Sequence, residues 1–240
     1  LAAVALNDRF RFGEKNLRRV LMKASEIRKT LESTLLAPTA GGAEIEKLCA
    51  EAEGLGLYGV CVAPCRVREA LGFLKSGKVR VVSVAGFPLG NSTAETKAGE
   101  VAELVRIGAH EVDIVANVGL FLEGRVREVA EEFRLARRAG EGRVLKVILE
   151  TGFLTPSQIR ELGGIALGEG ADFLKTSTGY GPRGASVEDI RILAGIKGSR
   201  GIKASGGIRT LSQVGELIGA GATRIGTSSA GAIMKEALHE

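Results

Sequence analysis

Tryptophan is absent from the 240 residues, histidine and methionine occur twice each, proline five times and cysteine three times. Each scarcity removes a class of protein. Cys49, Cys61 and Cys65 are an odd number at spacings that make no disulfide framework, and with only His110 and His239 beside them they make no zinc site. Free thiols of this kind belong in a reducing cytosol. Five prolines are too few for a proline-rich linker architecture. No stretch approaches the roughly 18 apolar residues of a membrane span, and the apolar run at residues 1–6 is too short for a signal-peptide core and has its charges behind it. A cytoplasmic chain without a membrane partner is therefore expected. Aromatics are scarce as well. Only Phe10 and Phe12, beside Arg9 and Arg11, interleave with basic residues, so no nucleic-acid partner is expected.

What is present points to a folded chain with many turns: 45% apolar residues, 25% charged residues and 34 glycines. The net charge of +5 is localised. Residues 1–30 hold eight basic residues against three acidic ones, which accounts for all of it, and the remaining 210 residues are neutral overall. Within that segment Leu17, Val20, Leu21, Ala24 and Ile27 recur at helical spacing, which predicts an amphipathic basic helix over 14–29.

Beyond residue 30 an apolar strand-like run, a polar or glycine-rich loop and a helix-period segment alternate to the end of the chain. The strand candidates are 33–36, 58–62, 79–85, 112–116, 144–149, 172–175, 201–204 and 223–226, several of them nearly continuous apolar runs of the kind expected for parallel strands. Thr155-Pro156-Ser157-Gln158 and Thr210-Leu211-Ser212-Gln213 have capping-box spacing at two helix starts. Eight such units without a linker predict an α/β protein, a single (β/α)8 TIM barrel over residues 31–240 preceded by a basic extension over 1–30. An open doubly wound sheet is the alternative, but neither G-x-G-x-x-G nor a Walker-type glycine loop is present.

The active site of a barrel lies at the C-terminal ends of its strands. Lys175 and Lys203 end neighbouring predicted strands there, one β/α unit apart. Two ammonium groups facing each other repel, and one relieves the repulsion by losing its proton. A neutral lysine amine is the nucleophile that forms a Schiff base with an aldehyde or ketone, and Asp113, at the fourth strand, is placed to shuttle protons. Ser205-Gly206-Gly207 and Gly226-Thr227-Ser228-Ser229 follow the seventh and eighth strands, the usual barrel position for phosphate, and Arg209 adds charge nearby. A phosphorylated substrate is expected.

Five segments, Phe87-Pro88-Leu89-Gly90, Glu111-Val112-Asp113-Ile114-Val115, Leu174-Lys175-Thr176-Ser177-Thr178-Gly179, Lys203-Ala204-Ser205-Gly206-Gly207-Ile208-Arg209 and Ile225-Gly226-Thr227-Ser228-Ser229, resemble in order and spacing the motifs of the deoxyribose-phosphate aldolases, class I aldolases on this barrel. The resemblance covers roughly residues 31–233. It implies Lys175 as the Schiff-base lysine, Lys203 as the lysine that lowers its pKa and Asp113 as the proton relay. It also implies Gly179, Gly206, Gly207, Gly226, Ser228 and Ser229 as phosphate binders, and reversible cleavage of 2-deoxy-D-ribose 5-phosphate to D-glyceraldehyde 3-phosphate and acetaldehyde, with no metal and no cofactor. Glu32 stands where many members carry aspartate, Cys61 stands where they often carry cysteine, and the C-terminal tyrosine of some members has no counterpart in Ala237-Leu238-His239-Glu240. Placed near the mouth, Cys61 is a candidate for aldehyde adducts, against the reading of a packed core cysteine. Two other functions compete: a Schiff-base barrel aldolase for a different sugar phosphate, and a barrel that binds a phosphate ligand without catalysis. Association into a homo-oligomer, a dimer or tetramer, is expected, with the helix at 14–29 as a candidate interface element.

Overall fold

The computed structural model describes residues 23–198 and 200–239. Eight parallel strands, β1 (Leu31–Leu35), β2 (Gly59–Val62), β3 (Arg80–Ala85), β4 (Glu111–Val115), β5 (Val144–Ile148), β6 (Phe173–Lys175), β7 (Gly201–Ser205) and β8 (Arg224–Thr227), pair in chain order, and β8 closes on β1. Each predicted strand is found, with its bounds displaced by no more than two residues.

The helices are α1 (Ala24–Ile27), α2 (Gly42–Leu55), α3 (Val67–Phe73), α4 (Ala94–Arg106), α5 (Val118–Leu122), α6 (Val126–Ala139), α7 (Pro156–Gly168), α8 (Val187–Ala194), α9 (Leu211–Ala220) and α10 (Ala230–His239). Their starts follow from local chemistry. Thr155 and Thr210 form the two expected capping boxes with Gln158 and Gln213, and Thr93, Asn117 and Ser186 cap α4, α5 and α8. Most of the predicted basic helix over 14–29 lies outside the described residues. Its described end is α1, which stops at Ile27, so that Arg28 and Lys29 lie in a turn. No helix among the described residues is long and apolar enough to cross a membrane.

Alternation along the strands divides the barrel into two unlike spaces. Outward-facing Val60, Val62, Val81, Val112, Ile114, Leu145, Val147 and Ile202 join the inner faces of the helices in one buried apolar layer. Each such side chain contributes on the order of 1.5–3 kcal/mol of burial. The alternate positions point inward and include seven charged residues, so the apolar runs read from the sequence conceal a two-faced pattern.

Two further contacts fix the ends of the barrel. At the N-terminal end Ile27 is buried, the Tyr58 amide donates to the Arg28 carbonyl at 2.9 Å, and the Ile225 amide donates to the Thr30 carbonyl at 2.8 Å. Between α4 and α6, Lys97 and Glu132 form a fully buried ion pair of 2.7 Å. Lys97 Nζ also donates to the Val115 carbonyl at 2.8 Å, and Glu132 Oε1 accepts from the Asn117 amide at 3.2 Å, so the pair grips the C-terminal end of β4.

Candidate active site

Seven ionisable side chains fill the barrel interior: Glu32 on β1, Glu111 and Asp113 on β4, Lys146 on β5, Lys175 on β6, Lys203 on β7 and Arg224 on β8. All are buried. At this depth each charge needs a partner, and the strand register supplies them. Lys175 lies opposite Lys203, and Asp113 opposite Lys146. Asp113 Oδ2 accepts from Lys175 Nζ at 2.9 Å and from Lys203 Nζ at 2.7 Å, while its Oδ1 accepts from Lys146 Nζ at 2.7 Å. Glu32 binds Lys203 through Oε2 and Arg224 through Oε1 at 2.9 Å. Glu111 holds Lys146 at 2.6 Å, Arg224 at 3.3 Å and the Tyr58 hydroxyl. Below this cage the Arg224 guanidinium stacks on the Tyr58 ring at 3.2 Å and closes the N-terminal end.

The environment separates the two lysines read from the sequence. Burial lowers the pKa of the Lys175 amine, and Lys203 lowers it further, against the pull of Asp113. Burial acts on Lys203 in the same sense, but Asp113 and Glu32 outweigh it and its pKa is raised. Charge repulsion between the lysines is thus present but secondary to burial. Asp113 is opposed by burial yet drawn well below the usual carboxylate range by Lys146, Lys175 and Lys203. Glu32 is lowered in the same way, burial being outweighed by Lys146, Lys203 and Arg224.

Above Lys175 lies a cavity of about 250 Å³. Its wall carries Gly179, Gly206, Gly207, Gly226, Ser228 and Arg209. Gly206 takes φ +89°, and a Cβ there would meet the Gly184 Cα at 3.0 Å, so only glycine lets the β7 loop pack against the β6 loop. Gly226 has a second reason to be glycine, because a Cβ would lie 2.9 Å from Lys203 Cε. Ser229 does not line this cavity. It precedes α10, with its amide donating to Thr227 Oγ1 at 2.9 Å and its carbonyl accepting from Ile233. Of the two serine- and glycine-rich loops, the one after β8 runs directly into a helix, whereas the Ser205-Gly206-Gly207 loop is separated from α9.

Glu32, which stands where many members of the family carry aspartate, is fully buried and bonded to both Lys203 and Arg224. Cys61 is fully buried too, packed with Val82, Val84, Leu36 and Phe87. Burial pushes its thiol up to about 11, so it is a core cysteine and not an exposed reactive thiolate. Glu32, Cys61 and Asp113 bring ligand-type atoms within 4.8 Å of one another. Both carboxylates, however, are already bonded to the Lys203 ammonium, and the thiol is protonated, so this is a salt-bridge cluster and not a cation site.

Sequence reading missed Lys146, Glu111 and Arg224. The signal was available in part: Glu111-Val112-Asp113 alternates, so both carboxylates share a face of β4, and Lys146 interrupts an apolar run. Also missed was Glu150, whose Oε2 accepts from the Thr178 amide at 3.0 Å and from the Thr178 hydroxyl, tying the loop of Gly179 to the end of β5.

An eight-stranded barrel with a depressed lysine over a salt-bridge cage and a glycine-lined pocket at its mouth has the parts that a lyase of the class I aldolase type requires. No protein-family model matches the chain. The chain is 44% identical over 209 residues to the deoxyribose-phosphate aldolase of Dictyoglomus turgidum, covering 87% of this chain and 95% of that one. Among solved structures it superposes on QR15, an aldolase, with a TM-score of 0.85 at 42% identity, covering 89% of this chain and 96% of that one. It superposes on the tetrameric deoxyribose phosphate aldolase of Aeropyrum pernix with a TM-score of 0.82 at 34% identity, covering 93% and 95%. The chain belongs to the deoxyribose-phosphate aldolase family.

Proposed function

We propose that the chain reversibly cleaves 2-deoxy-D-ribose 5-phosphate to D-glyceraldehyde 3-phosphate and acetaldehyde, with Lys175 as the Schiff-base nucleophile. The observation that carries this reading is the pairing of one amine depressed by burial with a second, Lys203, held as ammonium by two carboxylates. The neutral Lys175 amine attacks C1 of the open-chain aldehyde. A C–N bond forms, the carbonyl oxygen leaves as water, and a proton taken up at nitrogen gives the iminium. Loss of the C3 hydroxyl proton lets the C2–C3 electron pair move toward the iminium. Glyceraldehyde 3-phosphate leaves, and an enamine of acetaldehyde remains on Lys175. Protonation at C2 and hydrolysis then release acetaldehyde. Asp113, bonded to Lys175 and Lys203 together, offers the path for these protons.

Gly179, Gly206, Gly207, Gly226 and Ser228 would hold the phosphate by close backbone approach, with the start of α10 behind Ser228 and Ser229 and with Arg209 at the rim. Residues 31–240 are the catalytic barrel, and residues 1–30 an extension whose last residues cap its N-terminal end. Assembly into a dimer or tetramer belongs to the same reading, supported by the tetrameric relative. So does a cytoplasmic site of action, supported by the free thiols of Cys49, Cys61 and Cys65.

Incubation with deoxyribose 5-phosphate and borohydride, followed by peptide mapping, tests the mechanism. A reduced adduct on Lys175, absent from Lys175→Met, is expected. An adduct on another lysine, or none, overturns it.

A further inference from the structure

Lys146 stands apart from the pocket. It does not line the cavity above Lys175, yet its Nζ faces every carboxylate of the cage: Glu111 at 2.6 Å, Asp113 at 2.7 Å and Glu32 at 3.6 Å. The other groups facing the cage are Lys175 on β6, Lys203 on β7, Arg224 on β8, the Cys61 thiol on β2 and the Tyr58 hydroxyl just before β2; β3 brings Val82 and Val84 and no charge. Three carboxylates therefore meet four cations, so one cation is in excess. Arg224 keeps its proton by chemistry. Lys146 faces three carboxylates, and Lys203 bonds two. Lys175 has a single carboxylate oxygen and shares it with Lys203.

We propose that Lys146 is a positioning residue for the aldol chemistry: by occupying Asp113 Oδ1 and matching the third buried carboxylate, it leaves Lys175 as the surplus cation of the cage and so keeps its amine neutral. This rests on Lys175 being the nucleophile. Without Lys146 the three carboxylates would face Lys203 and Arg224 alone, and Lys175 would be retained as the third cation. Burial, which lowers the Lys175 amine, would then be opposed by an Asp113 charge no longer shared with Lys146.

The test is the pH dependence of borohydride trapping at Lys175, read with mapping of the adduct. Trapping requires the neutral amine, so its rate rises with pH through the amine's midpoint. Lys146→Met is expected to move that midpoint to higher pH by about one unit or more, a loss of about tenfold at pH values below it. Lys146→Arg should return it. Glu111→Gln, which leaves two carboxylates against four cations, should move the midpoint the other way, and this arm stands even where Lys146→Met does not fold. A Glu111→Gln midpoint that is unmoved or shifted upward, or a folded Lys146→Met that traps with the parental midpoint, overturns the proposal. Absence of any adduct on Lys175 in the parent protein defeats the nucleophile assignment instead, and is recognised before any variant is compared.

Discussion

At Gly226 one hydrogen atom serves two groups. The residue lines the cavity assigned to the phosphate, and its missing Cβ leaves the space through which Lys203 extends to Asp113 and Glu32. A role confined to phosphate would make Gly226→Ala a binding defect that disappears with an unphosphorylated substrate. The 2.9 Å approach to Lys203 Cε predicts more. Displacing Lys203 disturbs the group that holds Asp113, and such misplacement costs about tenfold or more in rate. Gly226→Ala is therefore expected to lower kcat on unphosphorylated deoxyribose as well as on the 5-phosphate. An intact kcat on the unphosphorylated sugar would show that Lys203 accommodates the methyl group. Lys175, which ends β6, and Lys203 and Asp113, each two residues inside the ends of β7 and β4, could be picked out in the sequence as charged residues in strand-like runs, and the structure brings the three into contact. The second duty of Gly226 was not legible, since a glycine in a sequence does not show what lies against it.

At the scale of elements, the Lys97–Glu132 pair joins α4 to α6 and holds both the Val115 carbonyl and the Asn117 amide, two and four residues beyond Asp113. Burial lowers the pKa of Lys97 and raises that of Glu132, each against the pull of the other, so the pair stands on mutual geometry in a dry setting. Removing one partner strands the other. Lys97→Met is expected to destabilise the fold by about 3–5 kcal/mol, and a Lys97→Met/Glu132→Leu double variant by clearly less, as urea unfolding would record. Equal losses in the single and double variants would count against a coupled strut. The eight strands and the two capping boxes could be read in advance because apolar periodicity and Thr-x-x-Gln spacing are local signals. The strut could not be, because a lysine and a glutamate on amphipathic helices look like solvated residues until tertiary packing closes over them.

For the whole molecule, barrel closure was legible as eight repeats, whereas its charged interior was not. Lys146, Glu111 and Arg224 acquire partners only when strands distant in the chain meet: Arg224 and Glu32 are bonded across 192 positions. Their arrangement is also lopsided along the chain. Every carboxylate of the cage, Glu32, Glu111 and Asp113, comes from β1 to β4, and every cation, Lys146, Lys175, Lys203 and Arg224, from β5 to β8. The barrel is therefore an acid half and a base half, each of which would enclose a block of like charge if it paired with a copy of itself. Cut in the turn at residues 140–143, the two fragments should ignore their own kind and recombine one to one when mixed. Native mass spectrometry would report complexes holding the two fragments in equal number and an assay of the mixture would report restored aldolase activity, and stable homodimers of either fragment would contradict the expectation. The ladder of charges that prepares one lysine for chemistry would thus also act as a mating code between two halves of one fold.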